Sequence, residues 1–356
     1  MVKDYSISGP AADAAQAAAL ANPSWFRPRV DAAKIRALMQ KSDAIAMRDT
    51  VVWLGAMALC ALAGIWLWPS WWSLPFWAIY GVLYGSGGDS RWHECGHRTA
   101  FKTAWKNDVV YQIASFMMMR NPVLWRASHV RHHTDTIIVG RDPEIVAMRP
   151  PDLTRLALNL FGILDGWHLI RRMFAHAAGR ISPDEAQLLR LQDRPAVARI
   201  ARIWLGLYAA TIGLAIWSGS ILPLMVIGLP RFYGAWHHVM TGVLQHVGLA
   251  ENVTDHRLNT RTVLMNPFSR FVYLNMNYHL EHHLFTMVPY YNLPRLHAVI
   301  GADMPAPQSS IWAAYRQLLP VLWRQLRYED AVIVPELPAG AAPYRNEVER
   351  LRPHAV

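Results

Sequence analysis

Thirty-nine consecutive residues, Thr50 to Gly88, carry no charged side chain. A helix crosses the hydrocarbon of a bilayer in roughly 20 residues, so the run is long enough to cross and return. Backbone amides find no water inside a bilayer, which makes such a run helical and lets it turn only at a surface. Pro69-Ser70-Trp71-Trp72-Ser73 stands near its middle and supplies the turn. Trp66, Trp68, Trp71, Trp72 and Trp77 set indole rings around that turn, as an interfacial aromatic belt does. The reading is a helical hairpin with spans over about 51–68 and 74–88.

Ile203 to Pro230 is a second charge-free run, 28 residues long, with Ser218-Gly219-Ser220 as its turn. It predicts spans over about 200–217 and 221–240. Arg231 is expected near the inner interface, its long side chain reaching the headgroups. Neither turn contains Lys or Arg, whereas the other connecting segments do. Basic loops stay cytosolic, so both termini are predicted inside. The net charge of +10 follows those loops and forms no nucleic-acid footprint, which excludes that partner class.

The predicted fold class is all-α: an integral membrane protein with four transmembrane helices as two hairpins and a cytosolic helical cap holding a metal site. Residues 1–49 form an N-terminal cytosolic segment, 50–300 a four-span catalytic domain with its cap at 89–199 and 241–300, and 301–356 a cytosolic tail. Within the cap, Val109–Met119 is apolar but too short to cross, and reads as a re-entrant or buried helix. Gly85, Gly87 and Gly88 read as a flexible helix exit. Cys60 and Cys95 are expected to be buried hydrophobes, and two cysteines cannot hold a four-thiolate iron–sulfur cluster.

Eight of the 16 histidines fall in three motifs. These are His93-Glu94-Cys95-Gly96-His97, His129-Val130-Arg131-His132-His133 and His279-Leu280-Glu281-His282-His283. Residues three and four apart share a helix face, so each motif is expected to present two or three imidazoles to one point. Neutral imidazole is a common ligand for Zn, Cu, Fe and Ni, and eight such ligands exceed what one ion takes. Two ions are the natural inference. His246, just after the fourth predicted span, is a candidate ninth ligand. His237, His238 and His256 are weaker candidates, and His168, His176, His297 and His354 read as surface or packing residues. Glu94, Asp135, Asp142, Glu144, Asn277 and Glu281 are close enough in sequence to orient imidazoles.

This set of boxes after two hairpins resembles the membrane fatty acid desaturase and hydroxylase superfamily. The stretch Asn275-Met276-Asn277-Tyr278-His279-Leu280-Glu281-His282-His283-Leu284-Phe285 with Val288-Pro289 is similar to the third-box region of its bacterial members. The resemblance covers roughly residues 50–300. It implies a non-haem diiron centre, O2 as oxidant, a lipid or hydrophobic small-molecule substrate and an external electron donor. Carried over, His93, His97, His129, His132, His133, His279, His282 and His283 are the expected iron ligands, with His246 the ninth. No His-Pro-Gly-Gly haem motif of a fused cytochrome b5 occurs, so electrons from NAD(P)H are expected through a reductase and a separate ferredoxin- or rubredoxin-type carrier. The chemistry expected is desaturation or hydroxylation of an unactivated C–H position in a fatty acyl substrate. The stretches Gly140-Arg141-Asp142-Pro143-Glu144 and Asp255–Arg261 also resemble members that hydroxylate or demethylate a smaller hydrocarbon or rhizopine-type molecule with a Rieske ferredoxin.

Two other classes compete. His93-Glu94-Cys95-Gly96-His97 matches HExxH, and Leu164-Asp165-Gly166 resembles the third-ligand motif of intramembrane zinc proteases, with Glu94 as base and Asp165 as ligand. That reading leaves six box histidines without a role. A metal transporter with histidine relays would need its ionisable groups inside the spans, whereas the boxes lie outside them.

Overall fold

The computed structural model describes residues 3–21, 23–346 and 351. Among them the regular structure is helical, and the only β-type pairings are two isolated bridges, Thr262 with Tyr278 and Val263 with Gln308. Ten helices position the site: α1 (Asp43–Trp66), α2 (Leu74–Gly96), α3 (Ala104–Met118), α4 (Pro122–Thr134), α5 (Ile163–Ala177), α6 (Arg194–Ser218), α7 (Ala235–His246), α8 (His279–Leu284), α9 (Leu293–Ile300) and α10 (Ile311–Gln325).

Among the described residues, two helices are long and apolar enough to cross a membrane: α1, and the run Leu191–Ser218 that contains α6. Ser42 caps α1 by accepting from Ile45 N, and Gly219 ends α6 at φ +59°. Both helices leave Leu, Ile and Val side chains uncovered along their length. At their far ends Trp66, Trp71, Trp72 and Trp217 stand between 77% and 84% exposed.

The other two predicted spans differ from expectation. The 221–240 arm is not one helix. It is divided into Leu222–Val226, Pro230–Tyr233 and α7. Pro223, Gly228, Pro230 and Gly234 fall within twelve residues, and each proline removes an amide donor and disfavours helix in the residue before it. Gly228 takes φ +97° at the break. The 74–88 span does not stop at Gly88. It continues as α2 to Gly96, so the first histidine box rides on the same helix. Every residue of α2 from Tyr80 to Gly96 except Asp89 is buried. It is the central helix, packed against α1, α3, α7 and Pro230–Tyr233. A helix walled by protein needs small, close-packing residues where a lipid-facing one carries large apolar ones.

That explains the glycines, which are not a helix exit. A Cβ on Gly85 would stand 2.6 Å from Gly234 O, one on Gly87 2.4 Å from Trp53 Nε1, and one on Gly234 1.9 Å from Gly81 O. Backbone meets backbone where α2 crosses the 230–235 segment. Gly234→Val is therefore expected to destabilise by more than the roughly 1–3 kcal/mol of ordinary overpacking, since no rotamer change relieves a backbone clash. Gly206→Val on α6, where nothing lies within 4 Å, is the control. The check is the fraction of detergent-extracted protein that elutes monodisperse.

Arg231 does not reach an interface either. It is 1% exposed, and its Nε and Nη1 have no hydrogen-bond partner among the described residues. The short helix Pro230–Tyr233 is tucked against α2 instead of spanning, which carries its arginine inward. The expected short helix at 109–119 falls in α3, with Met119 as its C-cap and Val110, Tyr111, Ala114, Met117 and Met118 buried. α5 and α10 are amphipathic. Met173 and Leu318 face the interior, while Ile163, Trp167 and Phe174 on α5, and Trp312, Leu319 and Trp323 on α10, are exposed.

Candidate metal centre

α2 supplies His93 and, at its C-cap, His97. α4 supplies His129, His132 and His133, α7 ends on His246, and α8 carries His279, His282 and His283. The nine side chains fall into two groups. One holds His93, His97, His129, His133 and His282; the other holds His132, His246, His279 and His283. Within each group one ring nitrogen per residue lies within 4.8 Å of all the others. The expectation that each box aims at a single point is thus corrected. Consecutive residues diverge by about 100° around a helix, so His132 and His133 must part, as must His282 and His283. The i,i+4 pairs His129/His133 and His279/His283 stay together, as their shared face requires.

The ring nitrogens face one another directly. His133 Nε2 lies 3.1 Å from His129 Nε2 and 3.2 Å from His282 Nε2. His279 Nε2 lies 3.1 Å from both His246 Nε2 and His283 Nε2. Several of these rings carry their proton on the far side. His246 Nδ1 donates to the carbonyl of Asn259 at 2.8 Å, and His132 Nδ1 and His129 Nδ1 meet Asp142 and Glu144 at 2.8 Å. Their Nε2 atoms are then lone-pair acceptors facing other acceptors, an arrangement a cation satisfies. A spacing near 3.1 Å is the edge of a polyhedron whose metal–nitrogen bonds are about 2.1 Å. His93 Nδ1 and Nε2 and His97 Nε2 are buried with no partner among the described residues. The donor set therefore fits imidazole-binding transition metals.

Burial, then neighbouring imidazoles, holds His93, His129, His133, His279, His282 and His283 well below the usual imidazole range. His246 is lowered in the same way, and His97 is brought down to about 3. All are neutral at pH 7, as ligation requires. His132 differs: burial pushes it down, but the Asp142 carboxylate outweighs that and leaves it raised.

Asp142 is the best-anchored supporting group. Its Oδ2 accepts from His132 Nδ1 at 2.8 Å and Ile137 N at 2.7 Å, and its Oδ1 from Glu144 N at 2.8 Å. Ile137 sits at φ +55°, a costly conformation for a β-branched residue, and this carboxylate helps hold it there. Glu144 also accepts from Ser128 Oγ at 2.6 Å. The remaining expected partners face away from the rings. Glu94 accepts from Tyr290 N at 3.2 Å, Asp135 pairs with Arg131 and Arg141, Asn277 donates to Val263 O at 2.8 Å, and Glu281 bonds Thr262 and His297. Glu94 and Glu281 each adjoin a box histidine, and adjacency on a helix points side chains apart. Sequence reasoning missed Thr136, Gln245 and Thr286, whose side chains lie 3.2 to 3.4 Å from Nδ1 of His283, His279 and His133. Gln245, directly before His246, and Thr136, directly after Asp135, stood beside flagged residues, while Thr286 did not.

The other histidines serve elsewhere. His237 lies between Ser86 and Ser269, His176 bonds Glu185, and His297 bonds Glu281. His256 belongs to neither group, and His354 lies outside the described residues. Asp165 bonds Asn159 and joins neither group, and Glu94 is turned toward Tyr290, so the zinc-protease arrangement is not formed. A cavity of about 840 Å³ opens onto His93, His129, His132, His246 and His279 and extends to Asp89, Arg120 and His238.

The family profile described as fatty acid desaturase matches residues 69–315, a segment that holds all nine histidines and the groups that touch their Nδ1 atoms. The chain belongs to the fatty acid desaturase family. It is therefore an oxidoreductase of lipid metabolism, and its histidine groups are the metal-site candidate of a desaturase. Among desaturases it is similar to the endoplasmic-reticulum acyl-lipid omega-3 desaturase (cytochrome b5) of Arabidopsis thaliana, 25% identical over 71% of this chain and 69% of that one. The chloroplastic sn-2 acyl-lipid omega-3 desaturase (ferredoxin) of the same plant is 22% identical over 71% of this chain. A Delta(12) acyl-lipid conjugase of Impatiens balsamina is 25% identical over 65%. The chain spans 59% of the length of the ferredoxin-dependent relative and 66% of the conjugase.

Proposed function

We propose that this desaturase-family chain is an O2-dependent integral-membrane diiron oxidase acting on an unactivated C–H position of a fatty acyl or lipid-type substrate. The observation that carries it is the pair of adjacent histidine groups with opposed Nε2 atoms, both opening on one cavity. His93, His97, His129, His133 and His282 would hold one iron, and His132, His246, His279 and His283 the other. Bound there, the iron pair supplies, with O2 and two electrons, the oxidising power to remove hydrogen from carbon. Asp142, Glu144 and the Asn259 carbonyl hold Nδ1 protons, fix the ring tautomers and aim Nε2 inward. Burial of the rings keeps bulk water from the reacting position.

The membrane arrangement we propose has α1 and Leu191–Ser218 as full spans. The first half of α2 and the broken segment 222–240 return beside them, giving four crossings within a 50–300 catalytic domain. The segments 1–49 and 301–356 and both histidine groups lie on the cytosolic side. The exposed apolar faces of α5 and α10 rest on the interface, as amphipathic surface helices do. Electrons come from NAD(P)H through a reductase and a ferredoxin-type carrier, the donor for which the chloroplastic Arabidopsis relative is named.

A second reading is favoured by the cavity wall. Arg120 pairs with Asp89 at 2.9 Å, Arg172 pairs with Glu185, and His238 lines the same space. Charged pairs suit a compact polar molecule, hydroxylated or demethylated, better than a long acyl chain. The test supplies iron-loaded protein in nanodiscs with reduced ferredoxin, its reductase and O2. Fatty acyl lipids and compact polar compounds are offered in turn, and product masses are read. Loss of two hydrogens from an acyl chain supports desaturation. Gain of oxygen on a small molecule supports the second reading. Ferredoxin oxidation uncoupled from any product, or one zinc per chain, overturns both.

A further inference from the structure

Trp25 is partly exposed, and its ring lies flat on His256, with centroids 4.0 Å apart and planes 5° from parallel. His256 is 3% exposed, and its ring is 5.1 Å from that of His283, a member of the four-histidine group. A second contact leads to the other group. Trp25 Nε1 donates to Thr134 O at 2.8 Å, and Thr134 directly follows His133 in the chain. The stack is held from both sides. Phe26 N donates to Thr254 O at 3.0 Å, and the Arg257 guanidinium, itself 0% exposed, lies 3.5 Å from the Phe26 ring centre. Arg257 is in turn fixed by Asp255 at 2.7 Å. So a surface indole is clamped in line with a buried imidazole and a candidate ligand.

Among the described residues, no other aromatic chain beside the two histidine groups reaches the surface in this way. Trp92 and Trp125 are 3.5 Å apart, and Trp125 stacks on His129 at 4.3 Å. Those two rings and the neighbouring Tyr111 are between 1% and 8% exposed, so a docked protein cannot touch them. Around Trp25 the surface is basic. Arg27, Arg29, Lys34 and Arg36 are all exposed, with Asp31 the one acid between Trp25 and Gln40. Such a patch steers an acidic protein and orients it at encounter.

We propose that the face around Trp25 is the docking site of an acidic [2Fe–2S] ferredoxin, and that electrons enter through Trp25 and His256 to His283. This rests on the diiron reading above. Each reduced ferredoxin is oxidised by one electron, and one ferric ion in the histidine groups is reduced to ferrous; two dockings reduce the pair. Trp25 and His256 bridge the tunnelling path and are neither oxidised nor reduced, and no proton moves through them. Tunnelling falls exponentially with distance, so a stacked ring in the gap matters more than its chemistry.

The test uses a plant-type [2Fe–2S] ferredoxin, with Trp25→Leu, Trp25→Phe and Arg27→Glu/Arg29→Glu proteins in nanodiscs. In the first arm, oxidised ferredoxin is titrated onto metal-free protein. The double charge reversal is expected to weaken binding about tenfold and flatten its salt dependence. In the second arm, ferric-loaded protein is mixed with saturating reduced ferredoxin in a stopped flow. Trp25→Leu should slow electron transfer with affinity unchanged, Trp25→Phe should stay near wild type, and reduction by dithionite should be equal in all. Unchanged binding in the charge-reversed protein overturns the docking site. Wild-type transfer in Trp25→Leu, or equal slowing with dithionite, overturns the path. If wild-type protein holds no iron, the diiron reading has failed, and the metal-free titration still decides the docking site.

Discussion

His246→Ala protein is expected to hold about one iron per chain, against about two in wild type, and to lose oxidase activity entirely. His246 is one of four donors in its group, and its Nε2 lies 3.1 Å from that of His279. Removing it leaves three imidazoles and an open edge. His282→Ala tests the other group, which has five donors, so it should lose iron less completely while still losing activity. His176→Ala, which bonds Glu185 outside both groups, should keep its iron. Elemental analysis of the purified proteins decides. One zinc per chain, unchanged in His282→Ala, would sink the diiron assignment.

Metal-free protein should lose stability steeply as pH falls below about 6.5, the ordinary imidazole pKa. The sign follows from the direction of the shifts. His93, His97, His129, His133, His246, His279, His282 and His283 are all lowered, chiefly by burial. Below the ordinary value the unfolded chain takes protons that the folded chain refuses. Their contribution is whole above that value and lost as pH falls toward the folded values. Among the groups beside these rings, three pull the other way. Glu94 and Glu144, each raised to about 7 by burial, and His132, raised by Asp142 despite burial, bind protons more readily when folded. Each shifted group is worth about 1.4 kcal/mol per pH unit, so eight against three leaves a net loss on the order of several kcal/mol one unit below the imidazole range. That is a large part of a typical folding free energy. Bound iron competes with those protons, and the loaded protein should hold out to lower pH. Near-UV circular dichroism of the 16 tryptophans, followed against temperature from pH 8 to 5.5, reads this directly. A melting temperature that is flat or rises toward acid would refute it.

The histidines were legible as a set because imidazole spacing is a local property. The interval from His129 to His133 places both on one face whatever surrounds the helix, and the same holds for His279 and His283. The partition into five and four was not legible. It depends on how α2, α4, α7 and α8 approach one another, which brings His282 beside His133 and His132 beside His283. The supporting carboxylates show the same limit. Asp142 and Glu144 reach back to rings ten and fifteen residues earlier through a loop whose path is set by Ile137 and its own hydrogen bonds. Proximity in sequence suggested Glu94 and Glu281 equally well, and both point elsewhere.

Hydropathy by itself determined that this chain carries two long apolar segments with their turns, because crossing a bilayer demands length and the exclusion of charge. It identified α1 and α6, whose sides are uncovered. It did not show that α2 runs on to Gly96 or that the 221–240 arm is broken into three pieces, because a helix enclosed by protein is selected for close approach, not for apolarity. Gly81, Gly85 and Gly234 look like weak points in the sequence, yet they are where two backbones touch. Composition and spacing thus determined the helical class and the set of metal-binding candidates, and the resemblance of the three boxes pointed to the family that the profile match shows. Only the tertiary structure decided which histidines share a group, which carboxylates hold them and which tryptophan reaches from the surface to them, since each depends on contacts between residues far apart in the chain.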